Sequence, residues 1–202
     1  EIEPYRGWML MPDGGSTLRQ ILESNLTLNY WKKILPEYAR FQQAMILHRQ
    51  VLFDLGVKDR RLSILPELAS ALSSVRSALC IGMPDGLTQL EYDALLNALP
   101  KLQILCDKLA QIGIPETLQH DDFHDGNIFV VQNGFRFFDW AESFIAHPFF
   151  TLVVTLRSIA YRFELEENSP EMRELVDIYL REWLDFAALD RLHEAFDLAE
   201  VL

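Results

Sequence analysis

Basic charge, cysteine and long apolar runs are all scarce in this 202-residue chain. Lysine and arginine number 18 against 30 aspartates and glutamates, a net charge of −12. Such a balance argues against a broad nucleic-acid or anionic-membrane surface, which needs clustered Lys and Arg; it would suit a cationic small molecule. No stretch of 18 apolar residues is free of charge, so no transmembrane helix is expected. No basic-then-apolar leader is visible, so no signal peptide is expected. The chain begins at Glu1 rather than methionine, which reads as a processed chain or a fragment. The two cysteines, Cys80 and Cys106, stand in apolar, helix-like surroundings without zinc-ligand spacing. They are expected to be buried, reduced thiols, and with the missing leader they suggest the cytoplasm.

What the chain does have is apolar residues, half of the total, enough for one sizeable core. Tyr5 to Pro12 reads as a short extended piece ending in an Asp13-Gly14-Gly15 turn. Ser16 or Thr17 can cap a short helix. A long amphipathic run follows from about Leu28 to Leu55, with Pro36 near its start and Gly56 as its stop. Two or three helices are expected between Leu62 and Ile112, the last opened by Pro100. The pattern then changes to Asn127-Ile-Phe-Val-Val131, Gln132-Asn133-Gly134 and Phe135 to Asp139, two β-rich runs around an Asn-Gly pair that predict a hairpin. From Phe149 the chain reads as three helices, with breaks near Asn168-Ser169-Pro170 and Ala188 to Asp190. The fold class is therefore mainly α with a small β-hairpin.

Ahead of the hairpin stands His120-Asp121-Asp122-Phe123-His124-Asp125-Gly126-Asn127. A polar loop held by a hairpin is a natural place for chemistry. The hairpin should bring Asn127 beside Asp139 at its far end, pairing an amide oxygen with a carboxylate, a hard-oxygen site suited to Mg²⁺. Asp122 would remain free to face a substrate. Phosphoryl transfer needs that division: a metal on the bridging phosphates and a separate carboxylate for the incoming hydroxyl. The His-x-Asp spacing, with Asn five residues after the Asp, is that of the kinase catalytic loop.

Leu118 to Phe129 resembles the His-Gly-Asp-x-His-x-x-Asn loop of the aminoglycoside phosphotransferase and choline kinase family, and Phe138-Asp139-Trp140 resembles that family's metal motif. Met11 to Gly15 resembles the end of the family's hinge between lobes. The resemblance covers almost the whole chain. It implies the C-terminal, helical lobe of a protein-kinase-like fold, with residues 1–15 as hinge remnant and 16–202 as catalytic lobe. It implies an enzyme that uses ATP and Mg²⁺ to phosphorylate a hydroxyl of a small molecule such as an aminoglycoside, choline, a sugar or an amino-alcohol. Asp122 would be the catalytic base, His120 would brace the loop, and His124 would approach the transferred phosphate. Asn127 and Asp139 would hold Mg²⁺. Phe129 and Phe138 would floor the adenine, whose edge would meet backbone groups near Met9 and Met11.

Some positions depart from the family pattern. Asp121 replaces a glycine, Asp125 a proline, Glu142 lies one place late, and His147-Pro148 stands where Gly-Asp-Pro is common. No Gly-x-Gly-x-x-Gly loop and no phosphate-pairing lysine precede the hinge, so the chain alone is expected to bind ATP poorly. A non-catalytic kinase-like binding module and a metal-dependent hydrolase are the competing readings. Asp121 and Asp125 are read as solvated or structural residues, Glu142 equally as a surface residue or as a second metal neighbour or substrate contact, His48 and His193 as helix-packing or surface residues, and His147 as a turn residue. Phe144, Phe149, Phe150 and Tyr161 are read as core, and Glu164 to Glu167 as a solvated helix end.

Overall fold

The computed structural model describes residues 2–202, which are mainly helical. Two two-residue strands, β1 (Ile2–Glu3) and β2 (Trp8–Met9), pair antiparallel at the start. Beyond the Asp13-Gly14-Gly15 turn, α1 (Leu18–Ser24) opens on a reciprocal cap: the Thr17 hydroxyl accepts from Gln20 N–H while the Gln20 side chain accepts from Thr17 N–H.

The amphipathic run from Leu28 to Leu55 is two helices rather than one. α2 (Trp31–Met45) gives way to a tight 3-10 turn at Ile46–His48, and α3 (Arg49–Asp54) stops at Gly56, whose φ of +89° favours glycine. Pro36 lies inside α2 without ending it. After β3 (Lys58–Asp59) and α4 (Leu65–Ser74) comes α5 (Gln89–Ile112). Pro100 does not open a helix as expected; it sits within α5, because the stronger start signal is the Thr88–Glu91 capping box and the stop is Gly113 at φ +86°. The cysteine expectation holds for Cys106 only. That thiol is buried, and burial pushes its pKa up to about 11. Cys80 is exposed at φ +47° in the turns between α4 and α5, where no helix exists to bury it.

β4 (Thr117–Gln119), β5 (Ile128–Val131), β6 (Gly134–Phe137) and β7 (Phe144–Ala146) complete the strands. The expected hairpin is β5–β6, closed by Gln132-Asn133, with Gly134 already the first residue of β6. A second sheet was not expected: β7 pairs parallel with β3 and antiparallel with β4. Its strands have two or three residues each, too short to show alternation in the sequence. β4 and β7 are buried throughout and form the floor beneath the polar loop.

α6 (Phe149–Phe163), α7 (Pro170–Arg181) and α8 (Leu189–Val201) close the chain with the expected breaks, Ser169 capping α7 ahead of Pro170. Trp31, Tyr38, Phe123, Phe149, Tyr179 and Trp183 are the largest fully buried residues of the core. Tyr161 does not join them: it is 90% exposed, on the outer side of α6. Among the described residues no helix is long and apolar enough to cross a membrane.

His147 was expected in a turn and is instead fully buried at the entry to α6, where its Nδ1 accepts from Phe149 N–H. Burial holds its pKa down at about 3. The unfolded chain takes up a proton near pH 6.5 that the folded chain refuses, so stability falls as pH falls from that point towards 3. Between pH 6.5 and 5 this one group costs about 2 kcal/mol. A His147→Asn protein should show a flatter dependence of chemical-denaturation midpoint on pH over that window; an unchanged slope would assign the acid sensitivity elsewhere.

Candidate active site

The loop from His120 to Asn127 joins buried β4 to the hairpin, and it is pinned at its middle. Phe123 is fully buried, stacked on Tyr38 with ring centroids 4.0 Å apart and meeting Phe137 edge-on at 5.1 Å. α6 runs beneath: the Thr151 hydroxyl lies 3.1 Å from the His120 carbonyl and the Thr155 hydroxyl donates to the Phe123 carbonyl at 3.0 Å. The Tyr38 hydroxyl accepts from His120 N–H at 3.1 Å. With its backbone held from both sides, the loop presents its polar side chains at fixed places.

His120 is buried and spans the site. Its Nδ1 accepts from Asp122 N–H at 3.2 Å and its Nε2 lies 2.6 Å from the Phe138 carbonyl. A carbonyl only accepts, so the ring carries its proton on Nε2 and is neutral. Burial, first of all, lowers its pKa and favours that form. The ring therefore ties the residue before Asp139 to the backbone of Asp122.

The three residues singled out in the sequence are joined through backbone hydrogen bonds. Phe138 N–H donates to the Asn127 carbonyl at 2.9 Å, which extends the hairpin by one rung and sets Asp139 beside Asn127. The Asn127 side-chain amide donates to the Asp122 carbonyl at 2.9 Å, so its Nδ2 is committed and its Oδ1 is the atom that can serve a cation. Asp122 is exposed, with its side chain at 66%, and its Oδ2 lies 3.1 Å from His124 Nε2. His124 Nδ1 accepts from Gly126 N–H, which puts the ring proton on the nitrogen facing Asp122. Asp139 has φ +64°, a left-handed conformation that aspartate enters only at an energetic cost.

The residues that depart from the family pattern have partners. Asp121 is exposed and pairs with Arg60 at 3.4 Å, and Glu142 pairs with Lys58, so the β3 segment is fastened to both the loop and the stretch after Asp139. Asp125 is buried and pairs with Arg19 of α1 at 2.8 Å. None of these cations was singled out in the sequence. Only Arg19 gave a signal: it stands in the first turn of a helix, where the dipole disfavours a positive charge.

Phe129 and Phe138 meet edge-on at 5.6 Å on one side of the hairpin. Gly14 lies against Phe129 so closely that a Cβ there would fall 2.7 Å from the ring. Val130 N–H donates to the Ser16 carbonyl at 3.0 Å, which aligns residues 14–17 along β5. Met9 and Met11 are exposed upstream of this contact, 62% and 46% respectively. A Gly14→Ala protein is expected to melt several degrees lower, because an overpacked methyl against a ring costs about 1–3 kcal/mol. An unchanged melting point would show that the 14–17 segment shifts freely away from Phe129.

Residues 15–195 match the family model described as "Phosphotransferase enzyme family", and the chain belongs to that family. No curated protein matches the chain. Among solved structures, an ethanolamine kinase of Plasmodium vivax is similar over 95% of this chain and 55% of its own, at 14% identity and a TM-score of 0.60. An aminoglycoside phosphotransferase, APH(3'')-Id from Streptomyces rimosus in complex with ADP and streptomycin, is similar over 93% of this chain and 67% of its own, at 16% identity and a TM-score of 0.49. The chain thus shares the kinase-like fold of the first and spans about half of that protein's length.

Proposed function

We propose that this chain is the helical catalytic lobe of an ATP-dependent kinase that phosphorylates a hydroxyl group of a small molecule. The observation that supports the reading is the chain of hydrogen bonds from Phe138 N–H to the Asn127 carbonyl, from the Asn127 amide to the Asp122 carbonyl and between His120 and the Phe138 carbonyl, which links the loop carrying Asp122 and Asn127 to the hairpin end carrying Asp139. Family membership supports the same chemistry.

In this reading Asp122 accepts the proton of the acceptor hydroxyl and orients its oxygen for in-line attack. His124 Nε2–H holds that carboxylate, and His120 fixes the spacing between loop and hairpin. Asn127 Oδ1 and the Asp139 carboxylate would hold a Mg²⁺ ion, both being hard oxygens on residues that the Phe138–Asn127 backbone bond brings near each other. Among the described residues no group of three or more His, Cys, Asp or Glu side chains is placed to hold a metal. Two protein ligands suit Mg²⁺, which keeps waters and takes phosphate oxygens. When bound, the ion neutralises charge on the bridging phosphates. Phe129 and Phe138 offer an apolar face for adenine beside the hinge residues Met9 and Met11, with residues 1–15 as the inter-lobe segment. An acceptor carrying positive charge fits the −12 net charge. The free thiols Cys80 and Cys106 suit a reducing cytoplasm.

The test is a phosphotransfer screen of the full-length protein with Mg-ATP against choline, ethanolamine, aminoglycosides, sugars and amino-alcohols, run beside Asp122→Ala. Phosphorylated product from the parent protein alone supports the reading. Equal turnover in both proteins removes Asp122 as the base.

A further inference from the structure

Resting on that reading of the site, we propose that Gln42 is a positioning residue: its side chain ties β4 to the start of α6 and so sets the grip of α6 on the loop that carries Asp122. Gln42 ends the buried stripe of α2 and is fully enclosed. A buried amide costs stability unless its polar atoms find partners, and here both do. Nε2 donates to Gln119 Oε1 at 3.1 Å and to the Pro148 carbonyl at 3.2 Å. The Tyr179 hydroxyl of α7 donates to Oε1. A carbonyl only accepts, so the atom facing Pro148 is the nitrogen and the amide has one orientation. The backbone is held as well, the Gln42 carbonyl accepting from the Thr117 hydroxyl at 2.6 Å.

These partners stand next to the anchors of the loop. Gln119 is the last residue of β4 and precedes His120, while Pro148 caps α6 ahead of Thr151. The Thr151 hydroxyl has one proton and two acceptors in reach, Gln119 Oε1 at 2.8 Å and the His120 carbonyl at 3.1 Å. Its oxygen accepts from the Tyr38 hydroxyl at 3.3 Å, and Tyr38 in turn accepts from His120 N–H. Burial pushes the pKa of Tyr38 and of Tyr179 up, so both hydroxyls keep their protons and remain donors.

Because Gln42 is a second donor to Gln119 Oε1, that oxygen does not need the whole of the Thr151 proton, and the His120 carbonyl shares it. Without the Gln42 amide, Gln119 Oε1 draws on Thr151 alone, and the bridge between β4 and α6 is lost. The His120 carbonyl, two residues ahead of Asp122, then gives up its donor.

The network is built so that this role can be separated from folding. In Gln42→Met the Tyr179 hydroxyl still reaches the Pro148 carbonyl at 3.1 Å, and Thr151 still serves Gln119. Methionine has a similar length and volume, so no buried partner is orphaned and no large cavity opens.

The experiment compares the full chain with Gln42→Met and with Leu192→Val, a core change on α8 that touches none of these bonds. Amide hydrogen exchange at His120 and Asp122, taken relative to Leu156 within α6, is expected to rise about 10-fold in Gln42→Met as the loop opens locally, and to keep the parent ratio in Leu192→Val. An unchanged ratio in Gln42→Met overturns the proposal, whatever the enzymology. With Mg-ATP and either ethanolamine or streptomycin as acceptor, Gln42→Met is expected to lower kcat by about 10- to 100-fold with little change in KM for Mg-ATP, as misplacement of a reacting group does. A kcat lowered as much in Leu192→Val overturns the positioning role, because general destabilisation then accounts for the loss. An unchanged kcat in Gln42→Met, beside an inactive Asp122→Ala, also overturns it and leaves the phosphotransferase reading standing. Equal turnover in parent and Asp122→Ala sinks that reading instead, and the exchange ratio then decides the link from Gln42 to the loop by itself.

Discussion

An Asp122→Ala protein is expected to fold as its parent does and to lose about 100- to 10,000-fold in phosphoryl transfer, the range set by removing a positioned proton acceptor. The fold is expected to survive because the carboxylate is 66% exposed and its contact is with the neighbouring His124 ring. The Asn127 bond to residue 122 goes to the backbone carbonyl, and the His120 bond to the backbone N–H, so both persist in alanine. Phosphate transfer followed by ³¹P NMR, with melting points of both proteins alongside, gives the comparison. A melting point several degrees lower would mean that lost activity reports lost structure. Full activity at an unchanged melting point would place the proton acceptor at another residue.

Asp139 offers the second large effect, and there stability and activity should move in opposite directions. Its φ of +64° is a conformation that glycine adopts freely. Asp139→Gly is therefore expected to raise stability by about 1 kcal/mol or more. The same change removes the proposed Mg²⁺ ligand and should lower turnover by about 100-fold or more, since a metal's stabilisation of developing charge is worth several kcal/mol. Asp139→Asn separates the effects: asparagine tolerates the left-handed region, so stability holds while the Mg²⁺ concentration needed for half-maximal activity rises. A Gly variant that is less stable than its parent would show that the aspartate side chain secures the hairpin end. An active Asn variant with unaltered Mg²⁺ dependence would remove Asp139 from the metal site.

The site was more legible in the sequence than the fold around it. Helix starts at Thr17 and Ser169 depend on hydrogen bonds three residues long, and a hairpin depends on its own turn, so the chain carries those signals locally. The loop residues stood out by their spacing, and the hairpin register sets Asn127 opposite Phe138, next to Asp139. The sheet of β3, β7 and β4 joins segments far apart in sequence through strands too short for any period, and it could not be read. Pro100 misled because a proline at a helix start and one bridged within a long helix look alike in sequence. Tyr161 misled because its aromatic neighbours Phe149 and Phe150 face inwards while it lies on the other side of the same helix. Arg19, Lys58 and Arg60 each act on an acid far along the chain, and no spacing announces such a pair.

Phe123 gives this loop an unusual tolerance. An aromatic plug at the midpoint, fixed against Tyr38 and Phe137, leaves the flanking acidic residues outside the set that determines the backbone path. Positions 121 and 125 can then be exchanged as matched sets with their distant cations: Asp121 together with Arg60, Asp125 together with Arg19 and Arg162. For protein engineering the loop is expected to accept grafted sequences so long as the plug stays and each charge arrives or leaves with its counter-charge.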